Sequence, residues 1–201
     1  METSLPLCPT LKLYLLEEDF PTGRLAQDEM LAIMNAPAYW AFCWASGQVL
    51  ARHILDHPDT VNGKTVLDFG SGSGVVAVAA AMAGANHVIS CDIDPFALDA
   101  CQANATLNNV SLSLLADLSD LDTRNSPVDL AIAADVLYDR DNMPLLEVLP
   151  KLADEVLIAD SRVKEDSIQG YERINQMNAT TIPDLDEFRE FNNVRVYVRT
   201  S

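Results

Sequence analysis

One seven-residue turn limits the folds open to this chain: Asp68-Phe69-Gly70-Ser71-Gly72-Ser73-Gly74, entered from Thr65-Val66-Leu67 and followed by the small apolar residues 75–83. Three glycines at alternate positions let the backbone turn tightly and expose its N–H groups to a ligand. A strand running into such a turn and a helix running out of it form the opening unit of a parallel sheet covered by helices. The rest of the sequence repeats that unit. Residues 87–92 read as a second strand, with a helix starting at Pro95, and residues 110–115 as a weaker third strand. Residues 128–134, nearly all apolar, read as a central fourth strand and residues 155–159 as a fifth. Between these two, residues 143–152 are expected to be helical despite Pro144 and Pro150 near the ends. Further on, residues 179–182 and 193–200 read as two strands joined by the turn-prone residues 183–192, an antiparallel hairpin. The expected fold is α/β, five parallel strands followed by a hairpin, with helices on both faces.

A chain of 201 residues fits one core. Residues 1–37 are expected to be an N-terminal extension and residues 38–201 the domain, opened by an amphipathic helix over residues 38–57. An extension of that size cannot hold its own core, so it is expected over the sheet's carboxyl edge or against a partner.

Charge and composition narrow the partners. With 13 Lys and Arg against 30 Asp and Glu the net charge is −17, which repels nucleic acid and anionic lipid and favours a cationic partner. The apolar run 75–83 is about half the length a membrane span requires. Met1-Glu2-Thr3-Ser4 shows neither the basic nor the apolar region of a secretory signal, so a cytoplasmic location is expected. Cys8, Cys43, Cys91 and Cys101 form no C-x-x-C pair and read as buried reduced thiols. His53 and His57 are four apart, but Ile54 stands where the zinc-protease pattern needs Glu, and no metal site is expected.

The glycine turn does not by itself name its ligand. The dinucleotide pattern fails from Gly70, because Val75 takes the last position, yet it fits formally through Gly72, Gly74 and Ala77. Asp68 discriminates: a carboxylate at the strand's end attracts an ammonium and opposes a pyrophosphate. S-adenosyl-L-methionine, which joins a nucleoside to an amino acid, is therefore favoured over a nicotinamide dinucleotide. Asp92 closes the second strand 18 positions after Gly74, near the spacing of about 20 at which an acidic residue holds both ribose hydroxyls. Asp94, just before Pro95, is the better helix cap. Asp117, after the third strand, is a candidate acceptor for the adenine amino group.

Three further segments, Pro37-Ala38-Tyr39-Trp40-Ala41-Phe42-Cys43-Trp44-Ala45-Ser46-Gly47-Gln48, Cys91-Asp92-Ile93-Asp94-Pro95 and Ala134-Asp135-Val136-Leu137-Tyr138-Asp139, complete a pattern with the glycine turn. With them the chain resembles the seven-strand protein methyltransferases that include the electron-transfer-flavoprotein β-subunit lysine methyltransferases and, more distantly, the ribosomal protein L11 methyltransferases. The resemblance implies S-adenosyl-L-methionine as cofactor and S-adenosyl-L-homocysteine as product, held by Gly70, Gly72, Gly74, Asp92, Ala134 and Trp44. It also implies a lysine-bearing protein as substrate, facing Asp135 and Tyr138 as the catalytic pair. Asp135 can orient an ammonium and Tyr138 offers a π face and a hydroxyl. The resemblance weakens beyond the fifth strand, where Ala159-Asp160-Ser161-Arg162 is expected to shape the substrate mouth. A small-molecule N- or O-methyltransferase, and a nicotinamide-binding oxidoreductase or non-catalytic binding module, are the alternatives.

Overall fold

The computed structural model describes residues 1–17, 37–124, 127–163 and 168–200. A short antiparallel pair, β1 (Glu2–Ser4) and β2 (Lys12–Tyr14), comes first, followed by α1 (Ala45–Asp56). A seven-stranded sheet then forms from β3 (Thr65–Phe69), β4 (His87–Cys91), β5 (Ser113–Leu115), β6 (Val128–Ala134), β7 (Ala153–Asp160), β8 (Glu172–Asn178) and β9 (Asn193–Thr200). Helices α2 (Val75–Met82), α3 (Pro95–Leu107) and the single turn α4 (Leu145–Val148) connect the parallel strands. The spatial order is β5-β4-β3-β6-β7-β9-β8, with β9 antiparallel to both its neighbours.

The order reverses between β3 and β6, because the crossovers from β3 run one way along the sheet and those after β5 return past it. Loops leaving those two strands diverge and open a crevice at their carboxyl ends. Alternation along β6 divides the core into two layers. Leu130 and Ile132 face the cluster formed with α1 and α2, while Ala131 and Ala133 face Leu146 and Leu149 on the other side. In α2, Ala77, Val78, Ala79 and Ala80 are fully buried, which is why this helix is built of small residues.

Residues 1–17 belong to the first of these layers. Leu5, Cys8, Leu11, Leu13 and Leu15 are buried in the cluster that holds α1 and α2. Backbone N–H groups of Leu7, Lys12 and Tyr14 donate to Gln48 Oε1 (3.0 Å), Asn108 Oδ1 (3.0 Å) and Asn104 Oδ1 (2.6 Å). The segment thus lies across α1 and α3 instead of over the carboxyl edge, reaching the residues beside the crevice only where Leu16 N–H meets Ala41 O (2.8 Å). Residues 18–36, the remainder of the expected extension before Pro37, lie outside the described residues.

Apart from strand ends displaced by one to three residues, three elements differ from expectation. The helix over 38–57 starts only at Ala45; Tyr39–Ala41 is a separate 3-10 turn, and Cys43 pairs with Ile182 through two backbone bonds of 2.8 and 2.9 Å. That pairing takes up residues 179–182, so the first strand of the C-terminal hairpin is the more polar Glu172–Asn178. Over 143–152, α4 is one turn bracketed by 3-10 turns at Arg140–Asn142 and Leu149–Lys151, as two prolines dictate.

Leu13→Ala should lower folding stability by about 2–5 kcal/mol, the cost of a cavity in a packed core. Urea denaturation measures it, and a loss below about 0.5 kcal/mol would show the N-terminal pair to be a surface appendage.

Candidate functional site

Two carboxylates at strand ends build the floor of the crevice. Helix α2 begins at Gly74, which has no side chain to cap it, and the third N–H of the helix, on Ala77, donates instead to Asp68 Oδ2 at 3.1 Å. Gly74 lies at φ +76°, and a Cβ there would sit 3.0 Å from the Cα of Cys101, so the turn needs glycine twice over. Helix α1 begins after Trp44, which also makes no side-chain cap. Its second residue, Ser46, donates its N–H to Asp135 Oδ2 (2.9 Å) and its hydroxyl to Asp135 Oδ1 (2.5 Å). Asp135 follows β6 at φ +52°, a left-handed position that an aspartate tolerates better than most residues. Both helices are therefore capped from the sheet.

Burial dominates the protonation of both groups. Asp68 is 2% exposed, and burial pushes its carboxyl up to about 8 against the Ala77 N–H and Ser71. Asp135 is pushed up to about 7 by burial, with Asp160 adding to the rise and Ser46 and Arg162 opposing it.

Above this floor lies a cavity of about 800 Å³. Its β4–β5 side carries Asp92, Asp94 and Asp117, together with Ile93, Ala97 and Leu118. Asp92 is fixed in place: Gly72 N–H donates to its Oδ2 (2.9 Å) and Asp94 N–H to its Oδ1 (3.0 Å). Asp94 caps α3 through Phe96 N–H at 2.9 Å, as its position before Pro95 predicts. Asp117 accepts from Ser119 N–H (2.8 Å) and still lines the cavity. The β6–β7 side carries Ala134, Asp135, Val136, Tyr138, Asn142 and Arg162. Tyr39, Trp40 and Trp44 close the front, with Tyr39 5.8 Å from the Trp44 ring and 6.2 Å from the Tyr138 ring between centroids. Trp44 Nε1–H donates to Tyr39 O at 2.9 Å, which fixes the indole.

Gly70, Gly72, Asp92, Asp117, Trp44, Ala134, Asp135 and Tyr138 are thus walls of one cavity, whereas Asp68 and Gly74 lie beneath the turn and are not. Gly70 shows why the turn hugs its neighbour: a Cβ there would meet Val136 Cγ1 at 2.7 Å. Sequence reading missed Ser46, which holds Asp135, and Asn142, whose Nδ2–H donates to Val136 O (2.9 Å) and fixes the same loop. It also missed Asn104, buried in α3, which donates to Ser73 O (2.7 Å) while accepting from Tyr14 N–H and so ties the N-terminal pair to the glycine turn. Serine and asparagine are common, and nothing in their spacing marks them. Among the described residues no group of His, Cys, Asp and Glu is arranged to hold a metal ion, and no helix is long and apolar enough to cross a membrane.

The sequence profile of the ribosomal protein L11 methyltransferase (PrmA) family matches residues 50–159, more than half of the chain. The electron transfer flavoprotein β subunit lysine methyltransferase of Rattus norvegicus is 44% identical over 103 residues, covering 51% of this chain and 40% of that protein. The homolog of that enzyme in Caenorhabditis elegans is 28% identical over a match covering 95% of this chain and 88% of its own. The chain thus matches about two fifths of the length of its mammalian relatives. Among solved structures, the ribosomal protein L11 methylase of Lactobacillus delbrueckii subsp. bulgaricus superposes with a TM-score of 0.59 at 22% identity, covering 78% of each chain. A magnesium protoporphyrin IX methyltransferase of Synechocystis PCC 6803, solved with S-adenosyl-L-methionine, superposes with the same TM-score at 19% identity over 90% of this chain and 88% of its own.

The sign of the Asp68 contribution follows from its raised value. A carboxyl lifted from 3.8 to about 8 on folding stabilises fully below about pH 3.8, and this contribution is lost as pH rises to about 8. Between pH 5 and 8.5 the wild type should therefore lose more stability than Asp68→Asn. Denaturation midpoints of the two proteins at both pH values test this, and parallel losses would count against it.

Proposed function

The chain belongs to the ribosomal protein L11 methyltransferase (PrmA) family, and from that premise we propose that it is an S-adenosyl-L-methionine-dependent methyltransferase acting on the Nε of a protein lysine. The observation that carries this reading is the two-sided cavity: a fixed carboxylate and apolar walls at β4–β5, an aromatic front and a capped aspartate at β6. A nucleoside fits the first side. Asp92, with each oxygen already aligned by a backbone N–H, is placed to accept from two vicinal hydroxyls, while Ile93, Ala97 and Leu118 offer surface to a planar base and Asp117 an acceptor to its amino group. Gly70, Gly72, Ala134 and Trp44 complete the walls, and Gly74 shapes the turn. Asp68, beneath the turn, contributes its hold on α2.

When bound, S-adenosyl-L-methionine supplies a methyl group activated by a sulfonium. The residues of the β6–β7 side do the rest. Tyr39, Trp44 and Tyr138 present ring faces to an entering ammonium and exclude water around it. Asp135, immobilised by Ser46, orients that ammonium at the end of β6. The amine loses its proton to water, its lone pair forms the bond to the methyl carbon, and the carbon–sulfur bond breaks with its electrons passing to sulfur. S-adenosyl-L-homocysteine and N-methyl-lysine are the products, and holding the reactants close and aligned is the protein's main contribution.

The relatives named for the electron transfer flavoprotein β subunit make that protein the first acceptor to try. A net charge of −17 supports a cationic protein partner and argues against nucleic acid. Four free buried cysteines support a reducing compartment, the cytoplasm.

Calorimetry with S-adenosyl-L-homocysteine should show binding, with NAD giving none, and Asp92→Ala should weaken it about 10- to 100-fold, the worth of hydrogen bonds to a charged group. Labelled S-adenosyl-L-methionine added to a lysate should place its label in a protein band; label confined to small molecules would refute the protein-lysine reading. Asp135→Asn keeps a tolerated left-handed residue and can still pair with Ser46, so it tests charge apart from fold. Because burial holds the Asp135 carboxyl at about 7, wild-type KM for the acceptor should fall as pH rises through 7, while KM of the Asn variant should not.

A further inference from the structure

The acidic walls of the cavity lie mostly on one side. Asp92, Asp94 and Asp117 belong to the β4–β5 half, whereas among the described residues the half beyond β6 sets one aspartate, Asp135, beside one cation, Arg162. Arg162 is held from three directions. Asp160, fully buried at the end of β7, accepts from the backbone N–H groups of Arg162 (2.7 Å) and Val163 (2.8 Å), and so shapes the turn that delivers the side chain. The guanidinium forms an ion pair with Glu187, whose other oxygen accepts from the Thr181 hydroxyl (2.6 Å), and it stacks 4.4 Å over the Phe191 ring. An arginine fixed by a carboxylate and a ring loses little freedom when it acts on a neighbour.

A lysine ammonium at this spot would meet opposing charges. Asp135 favours the charged form, which cannot attack, and the amine's ordinary value of about 10.4 makes that form dominant at neutral pH. Arg162 opposes Asp135: burial raises both the Asp135 carboxyl and the Tyr138 phenol, and the guanidinium works against that rise at each, so its field reaches both acceptor-side groups. Among the described residues, the other titratable groups facing this space are Asp160 from β7, Tyr39 from the aromatic front, Asp139 beside Tyr138, and Glu187 from the β8–β9 connection.

We propose that Arg162 sets the charge state of the acceptor amine: its guanidinium offsets Asp135, so that a lysine captured at the aromatic front reaches the methyl group in its neutral form. Glu187 tempers the effect by pairing with Arg162. This rests on the protein-lysine reading above. Arg162 acts through the field and is a tuning residue, with the proton still leaving to water.

The test is the pH dependence of kcat with recombinant electron transfer flavoprotein β subunit as acceptor, methylation being read by intact mass. Arg162→Gln should move the pH of half-maximal kcat upward by about one unit, the size of a charge interaction screened at a side chain one-third exposed. Glu187→Gln should move it downward, and Arg162→Lys should stay near the wild type. Phenolate absorbance reads the same field without any acceptor. The Tyr138 transition, isolated by subtracting the matching Tyr138→Phe spectrum, should rise in Arg162→Gln and fall in Glu187→Gln. Opposite displacements in both measurements establish the role. Displaced Tyr138 transitions with unchanged kcat profiles would remove Arg162 from the reaction and leave the lysine reading intact. A wild-type protein that methylates neither the β subunit nor any lysate protein would overturn the lysine reading and the role of Arg162 together.

Discussion

Helix N-termini capped from the sheet hold this molecule's site together. Neither α1 nor α2 carries a capping side chain of its own, since Trp44 and Gly74 occupy the positions where Ser, Thr, Asp or Asn would normally serve. Asp135 and Asp68 supply the missing acceptors from the ends of β6 and β3, the two strands that flank the point where the sheet order reverses. A cap of this kind is worth about 0.5–2 kcal/mol in stability, yet its structural effect is larger. It fixes the angle at which each helix leaves the carboxyl edge, and hence the shape of the crevice between them. The glycine turn gains freedom from the same device: with Asp68 beneath it Gly74 needs no capping side chain, and Gly72 N–H is left for Asp92 while the N–H groups of Gly70, Ser71 and Gly74 go to the carbonyls of Cys91 and Ser71.

Burying each of these carboxylates carries an electrostatic cost, visible in the raised values of both. The chain accommodates it by giving each one N–H donors from helix ends, where the partial positive charge of the dipole partly offsets desolvation. Asp160 follows the same plan at the end of β7, with backbone donors from its own turn. Three adjacent strand ends therefore each finish in an aspartate that organises the backbone beyond it. At β4 the aspartate, Asp92, is a cavity wall as Asp135 is, with its oxygens set by two N–H groups from the turns around it.

Much of this was legible in the sequence, and the part that was not has a physical explanation. The parallel strands were readable because buried strands are continuous apolar runs, and the glycine turn because its spacing has few uses. Strand β8 was not, since Glu172-Arg173-Ile174-Asn175-Gln176-Met177-Asn178 is a polar edge strand whose pairing with β9 shifts register between Arg173 and Asn175, which breaks the alternation that marks a strand. Residues 179–182 look more strand-like because they do pair, at a single bridge to Cys43. Of the candidate site residues, the walls announced themselves by position at strand ends, but a position at a strand end does not say which way a side chain turns. Asp68 and Asp92 occupy comparable ends of neighbouring strands; one turns under the glycine loop to Ala77 and the other up toward the cavity.

The cavity's division into two electrostatic halves follows from the same topology. Among the described residues that line the cavity, loops after β4 and β5 run to one side of the reversal and bring three aspartates, while loops after β6 and β7 run to the other and bring one aspartate and one arginine. A cationic ligand group placed at the reversal point is thus attracted from the first half without being held rigidly by the second. For the methyl transfer proposed above, which requires one cation to be bound and another to shed its proton beside it, that asymmetry matters more than the overall charge. On the protein-lysine reading proposed above, the net −17 favours a cationic partner at long range, and Arg162, set against Asp135, acts on the amine once it has arrived.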